Sequence, residues 1–196
     1  MHPRLTAVAA QTGEAPPIIT LNRQLKPTNT FQPSKYGGWE VIVLDRFDVL
    51  SEKAVKLNKT YPLHFSRDIY ETYDQIWNDI IQSGYANEKH LLLVVTFGIQ
   101  RNLGPMGNFF ELLYTTGGST QNLNQIKPWN VGSVNGDYVW YFLIGAFNSG
   151  VSAGVDFAGG EWQKSPVLEY NVAFYRDRHN GPYAFSLVSA KVSNET

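Results

Sequence analysis

The sequence predicts an α/β (α+β) fold: a mixed β-sheet sandwich with one main helix, one short helix and a C-terminal β-hairpin. Three observations predict it. Two uninterrupted apolar runs, LLLVVTF at 91–97 and YVWYFLIGAF at 138–147, are short enough for strands and too uniform for sheet edges. A sustained helical repeat occupies residues 68–83. Near the C-terminus, residues alternate in polarity on both sides of a turn.

Taken in order, residues 1–36 hold five prolines and many Thr, Asn and Gln. Proline removes amide donors and disfavours helix before it. The segment therefore reads as an extended proline-rich N-terminal arm, either a loose leader or a strap on a neighbouring subunit, ahead of a domain at 37–196. After Gly37-Gly38, Trp39 to Leu44 suit a strand buried largely on both faces. A second strand runs toward Tyr61-Pro62-Leu63. Ser66 offers a helix cap, Asp68 and Glu71 suit the first turn, and Ile69, Tyr73, Ile76, Trp77 and Ile80 form the apolar face before Gly84. Trp77 reads as core. Residues 91–97 form a central strand, 98–107 a loop, and Phe109, Phe110 and Leu113 a short helix ended by Gly117-Gly118. The run from Tyr138 is another buried strand, in which Gly145-Ala146 would let a second backbone approach. Leu168, Tyr170, Val172 and Phe174 alternate outward, Asp-Arg-His-Asn-Gly-Pro turns, and Tyr183, Phe185 and Leu187 alternate back, a hairpin at 168–190.

Composition narrows the function. Sixteen basic against seventeen acidic side chains leave a formal charge of −1, so no field draws nucleic acid. The absence of cysteine excludes disulfides, thiolate metal sites and cysteine nucleophiles. Residues 138–147 are about half the roughly 20 needed to span a bilayer. Residues 1–17 carry no apolar core long enough for an export signal.

Several stretches in this order, GGWEVIVLD (37–45), NKTYPL (58–63), the helix at 68–83, LLLVVTFG (91–98), the helix at Phe109–Leu113 leading to Gly117-Gly118, and YFLIGAFNSG (141–150), resemble the interleukin-like EMT inducer (ILEI) domain family. The likeness covers roughly residues 37–150. It implies a β-rich α/β sandwich acting as a non-catalytic binding module, in some settings beside glycan-processing enzymes. Animal members carry paired cysteines, so this chain resembles a cysteine-free bacterial or viral relative.

Three functional classes follow. Gly150-Val-Ser152-Ala-Gly154 is a literal G-x-S-x-G, with Asp156 or Asp177 and His179 downstream in the order of a serine hydrolase triad. Such an elbow needs a helix after the serine, and VDFAGGEWQKSP has no helical period. The four histidines, His2, His64, His90 and His179, lack metal-ligand spacing. No cofactor is expected. Aromatic and amide-rich loops remain, with Asn124, Trp129, Asn130, Asn148 and Trp162 as the candidate contacts. Aromatic faces hold the C–H side of a sugar and amides serve its hydroxyls, and the same residue types anchor protein interfaces. The sequence thus points to a glycan or protein recognition module. Its rivals are a structural subunit of a larger assembly using the arm, such as a phage tail, injection machine or surface layer, and a serine hydrolase using Ser152.

Overall fold

The computed structural model describes residues 2–64, 69–128, 137–148, 153–162 and 164–194. Ten strands and three helices are named among them: β1 (Arg4–Ala10), β2 (Ile18–Leu21), β3 (Gly38–Asp45), β4 (Val55–Pro62), α1 (Ile69–Gln82), β5 (His90–Phe97), β6 (Ile99–Gln100), α2 (Gly107–Thr115), α3 (Thr120–Ile126), β7 (Asp137–Ala146), β8 (Gly154–Trp162), β9 (Pro166–Tyr175) and β10 (Ala184–Asn194). They form two antiparallel sheets. One has the order β10-β9-β1-β2; the other runs β4-β3-β5-β7-β6, with β8 also paired to β7. The expected sandwich and C-terminal hairpin are present, and β3, β5 and β7 lie side by side.

Three layers explain the uninterrupted apolar runs. Leu91, Leu93 and Val95 of β5 and Phe142 and Ile144 of β7 face the four-stranded sheet, against Leu5, Ile19, Tyr170 and Val172. Their alternates, Leu92, Val94, Tyr141 and Leu143, face the helices, against Tyr73, Ile76, Ile80, Phe109 and Leu123. A strand covered on both sides has no polar face to show. Phe142 stacks on Tyr170 across the sandwich at 4.4 Å between ring centroids. On the other side Trp39 meets Phe109 edge-on at 5.2 Å and donates its indole N–H to Tyr73 Oη at 3.1 Å. Trp77 packs half-buried at the margin of this cluster, whose contacts from α1 centre on Tyr73, Ile76 and Ile80. Ser66 and Asp68 lie outside the described residues.

Gly145 does admit another backbone. A Cβ there would stand 1.8 Å from the carbonyl oxygen of Thr116, between α2 and α3.

Three elements differ from the sequence expectation. Within the first 36 residues, β1 and β2 are extended, and their ladder partners belong to the same chain: β1 is paired by β2 on one edge and β9 on the other. In the alternation of Leu5, Ala7 and Ala9, two of the three positions are alanine, small and of weak strand preference. Their place is set by large partners, Ala7 opposite Tyr170 and Ala9 opposite Leu168. Helix α3 lies where a loop was expected: it buries only two side chains, Leu123 and Ile126, too few to write a helical stripe into the sequence. Residues 154–162, with two adjacent glycines, form β8: the flat approach of Gly159 to the Trp140 ring, 2.4 Å from an added Cβ, requires the missing side chain.

Candidate functional site

The six-stranded sheet carries its helices on one face, and their ends converge beside the start of α2. Here the first turn of α1, the 105–107 connection, the first turns of α2 and the residues after α3 enclose a cleft of about 520 Å³. Its lining combines Tyr70, Met106 and Phe110 with Asn108, Glu111 and Lys127. Tyr70 is 56% exposed; Met106 and Phe110 are half-buried, and Asn108, Glu111 and Lys127 are exposed.

Local packing holds this geometry. Gly104 lies against the end of α3, where a Cβ would stand 2.0 Å from the carbonyl oxygen of Ile126. Arg101 ties three elements: Nε donates to Asp137 Oδ2 at the head of β7 at 2.5 Å, and NH1 donates to the Gln125 carbonyl of α3 at 2.7 Å. Met106 supplies no side-chain acceptor at the start of α2, so the first-turn amides have no cap from that residue. The cleft thus combines aromatic and apolar side chains with amide, carboxylate and ammonium groups in one lining. That arrangement suits a ligand with alternating C–H and hydroxyl surfaces.

The residues expected to make contact are dispersed. Asn124 is exposed on α3. Asn148 is exposed just beyond β7, in a left-handed conformation with φ 61° that asparagine tolerates better than most residues. Trp162 ends β8 opposite Asp137, whereas the Asn148 end of the ladder is marked by Gly145 opposite Gly154. Eight residues of strand separate these ends, roughly 26 Å, too far for one small site. Trp129 and Asn130 lie outside the described residues; Lys127 and Pro128, which lead to them, line the cleft. Tyr70, Asn108 and Glu111 were not singled out by sequence. The available signal was Tyr70 itself, an aromatic one position off the stripe formed by Ile69, Tyr73, Ile76 and Ile80.

The hydrolase constellation resolves differently. Ser152 lies outside the described residues, and strand β8 follows it. Asp156 accepts from Ser119 N–H at 2.8 Å, from Asn122 Nδ2 at 2.7 Å and from Tyr141 Oη at 2.9 Å. These bonds fasten the start of α3 to β8. Burial first, then the Asp156 carboxylate, hold the Tyr141 phenol well above its ordinary range. His179 is exposed in the β9–β10 turn. Among the described residues no group of three His, Cys, Asp or Glu stands ready to hold a metal, and no helix is long and apolar enough to cross a membrane.

A scan against family models gives no match for this chain, and neither does a search of curated proteins.

Proposed function

We propose that the chain is a non-catalytic recognition module that binds a glycan in the Tyr70 cleft. One observation carries this reading: an exposed tyrosine ring from α1 shares a cleft with an amide and a carboxylate spaced three residues apart on α2 and an ammonium group from the residues after α3, all three exposed. A pyranose ring needs an apolar platform below and directional partners at its rim. The resemblance to the ILEI family, whose members serve as binding modules, points the same way. The test is a glycan array probed with the labelled chain, followed by titration of the selected oligosaccharides. Tyr70→Ala should weaken binding about tenfold, the scale of one aromatic contact. Failure to bind any glycan, or equal binding by wild type and Tyr70→Ala, rejects the reading.

A structural-subunit role has one observation in its favour. Strand β10 is eleven residues long, lies at the edge of its sheet and exposes Val188 and Val192. A long edge is a template for pairing with another chain. Light scattering that shows a stable oligomer, lost on Val188→Lys, would favour this role; a monomer would oppose it.

A further inference from the structure

Among the described residues Glu40 is the one buried acidic residue. Its neighbours Trp39 and Val41 face the helices, while Ile42 and Leu44 face the four-stranded sheet. Strand alternation therefore turns Glu40 into the sandwich interior. Thr60 stands opposite Glu40 in the ladder, and Asn58 opposite Ile42, so all three share one face. Glu40 is 0% exposed, and Asn58 and Thr60 are each 1% exposed. Neither carboxyl oxygen of Glu40, neither amide atom of Asn58 and not the Thr60 hydroxyl has a hydrogen-bond partner in the protein. Buried polar groups are costly unless served. A guest serving this set must accept from an NH₂ and a hydroxyl and also donate to oxygens. Water does both; a metal cation would leave Asn58 Nδ2 unserved.

The segment at 25–34 closes this side of the sandwich. It joins the two edge strands β2 and β4. Leu25 N–H donates to the Ile19 carbonyl at 2.7 Å, and Thr28 N–H to the Asn58 carbonyl at 2.9 Å. Asn29 Nδ2 donates to the Thr60 carbonyl at 2.8 Å, and Asn29 Oδ1 accepts from Thr60 N–H at 3.0 Å. The strap thus grips the backbone of the two residues whose side chains share the interior with Glu40. Asn29, Gln32 and Thr60 also line an outer groove of about 370 Å³, which brings solvent to the strap.

We propose that Glu40, Asn58 and Thr60 form an interior water site in which Glu40 stands as the neutral acid, sealed by residues 25–34, and that loss of the Glu40 proton opens this strap. Burial pushes the Glu40 carboxyl up to about 8, and the neutral acid gains a donor for the same water. Among the described residues the other titratable groups buried between the sheets are the phenols of Tyr170 and Tyr183. Charged groups on the surrounding elements are engaged or exposed. Lys59 pairs with Asp79, Lys56 lies over the Tyr85 ring, Arg23 donates to the Leu50 carbonyl, and His90 bonds Asn87. Arg4, Lys26 and Lys35 are exposed. Once the strap opens, the carboxyl returns toward its ordinary 4.5, so opening releases a proton. The opening equilibrium should therefore rise by up to about tenfold per pH unit between these two values and level off above the upper one.

Hydrogen exchange of the full chain tests this on peptides covering 25–34 and 55–62, from about pH 5 to about pH 9, with intrinsic exchange rates divided out. The expected result is the tenfold-per-unit rise in wild type and a flat profile in Glu40→Gln. An unchanged slope in Glu40→Gln, or no slope in wild type, overturns the proposal. Should Glu40→Gln fail to fold, infrared spectra of the wild type decide: a protonated-carboxyl band at about pH 7 that disappears by about pH 9 supports it, and absence of the band overturns it. Thermal melts at about pH 9 with sodium, potassium or choline chloride separate the guests. Specific stabilisation by either metal would put a cation in the site and overturn the water assignment; equal melting in all three salts supports it.

Discussion

Glu40 and Tyr70 mark opposite demands on single residues. Glu40 sits among the apolar residues Trp39 to Leu44 of β3, and burial raises its carboxyl to about 8 from 4.5. The sign follows from linkage. At low pH both folded and unfolded chains hold the proton and the folded state is favoured. As pH rises toward the folded value the unfolded chain ionises first, and stability is lost by about 1.4 kcal/mol per pH unit. Urea unfolding across this range should show a component of that slope in wild type that is missing from Glu40→Gln. Tyr70 was legible only as an aromatic beside the helical stripe. Its cleft partners come from two other elements, Asn108 and Glu111 from α2 and Lys127 from the residues after α3, a convergence that only tertiary packing brings about.

At the scale of elements, long periodic segments were legible and short or small-residue ones were not. The stripe of α1 and the alternation of β9 announced themselves because burial pattern and residue size agree. In β1 the buried positions include Ala7 and Ala9, and in α3 two apolar anchors serve seven residues. Tertiary partners decide such cases. Helix α3 depends on Asp156, which accepts from Ser119, Asn122 and Tyr141. Asp156→Ala strands a buried phenol and uncaps the attachment, so it should cost roughly 2–4 kcal/mol in chemical denaturation. Gly145→Ala places a methyl 1.8 Å from the Thr116 carbonyl oxygen. Backbone must shift to admit it, and a loss of about 1–3 kcal/mol or more in the same assay is expected.

For the whole molecule, the decisive fact is that the core between the sheets is shared. Leu5, Ala7, Ile19 and Leu21 from the first 36 residues pack with Leu93, Phe142 and Tyr170. A chain begun at residue 37 should therefore lose its cooperative thermal transition, measured by circular dichroism. Retention of that transition would show instead that residues 1–36 are an appendage. The three-layer arrangement leaves the helix ends as the place where aromatic and polar groups meet in one cleft. The most direct test of recognition there is an amide chemical-shift titration with the strongest oligosaccharide from the array. Saturable shifts clustered at Tyr70, Asn108, Glu111 and Lys127 are the predicted result. Shifts that spare these residues and gather along β10 or around Asn148 would contradict it.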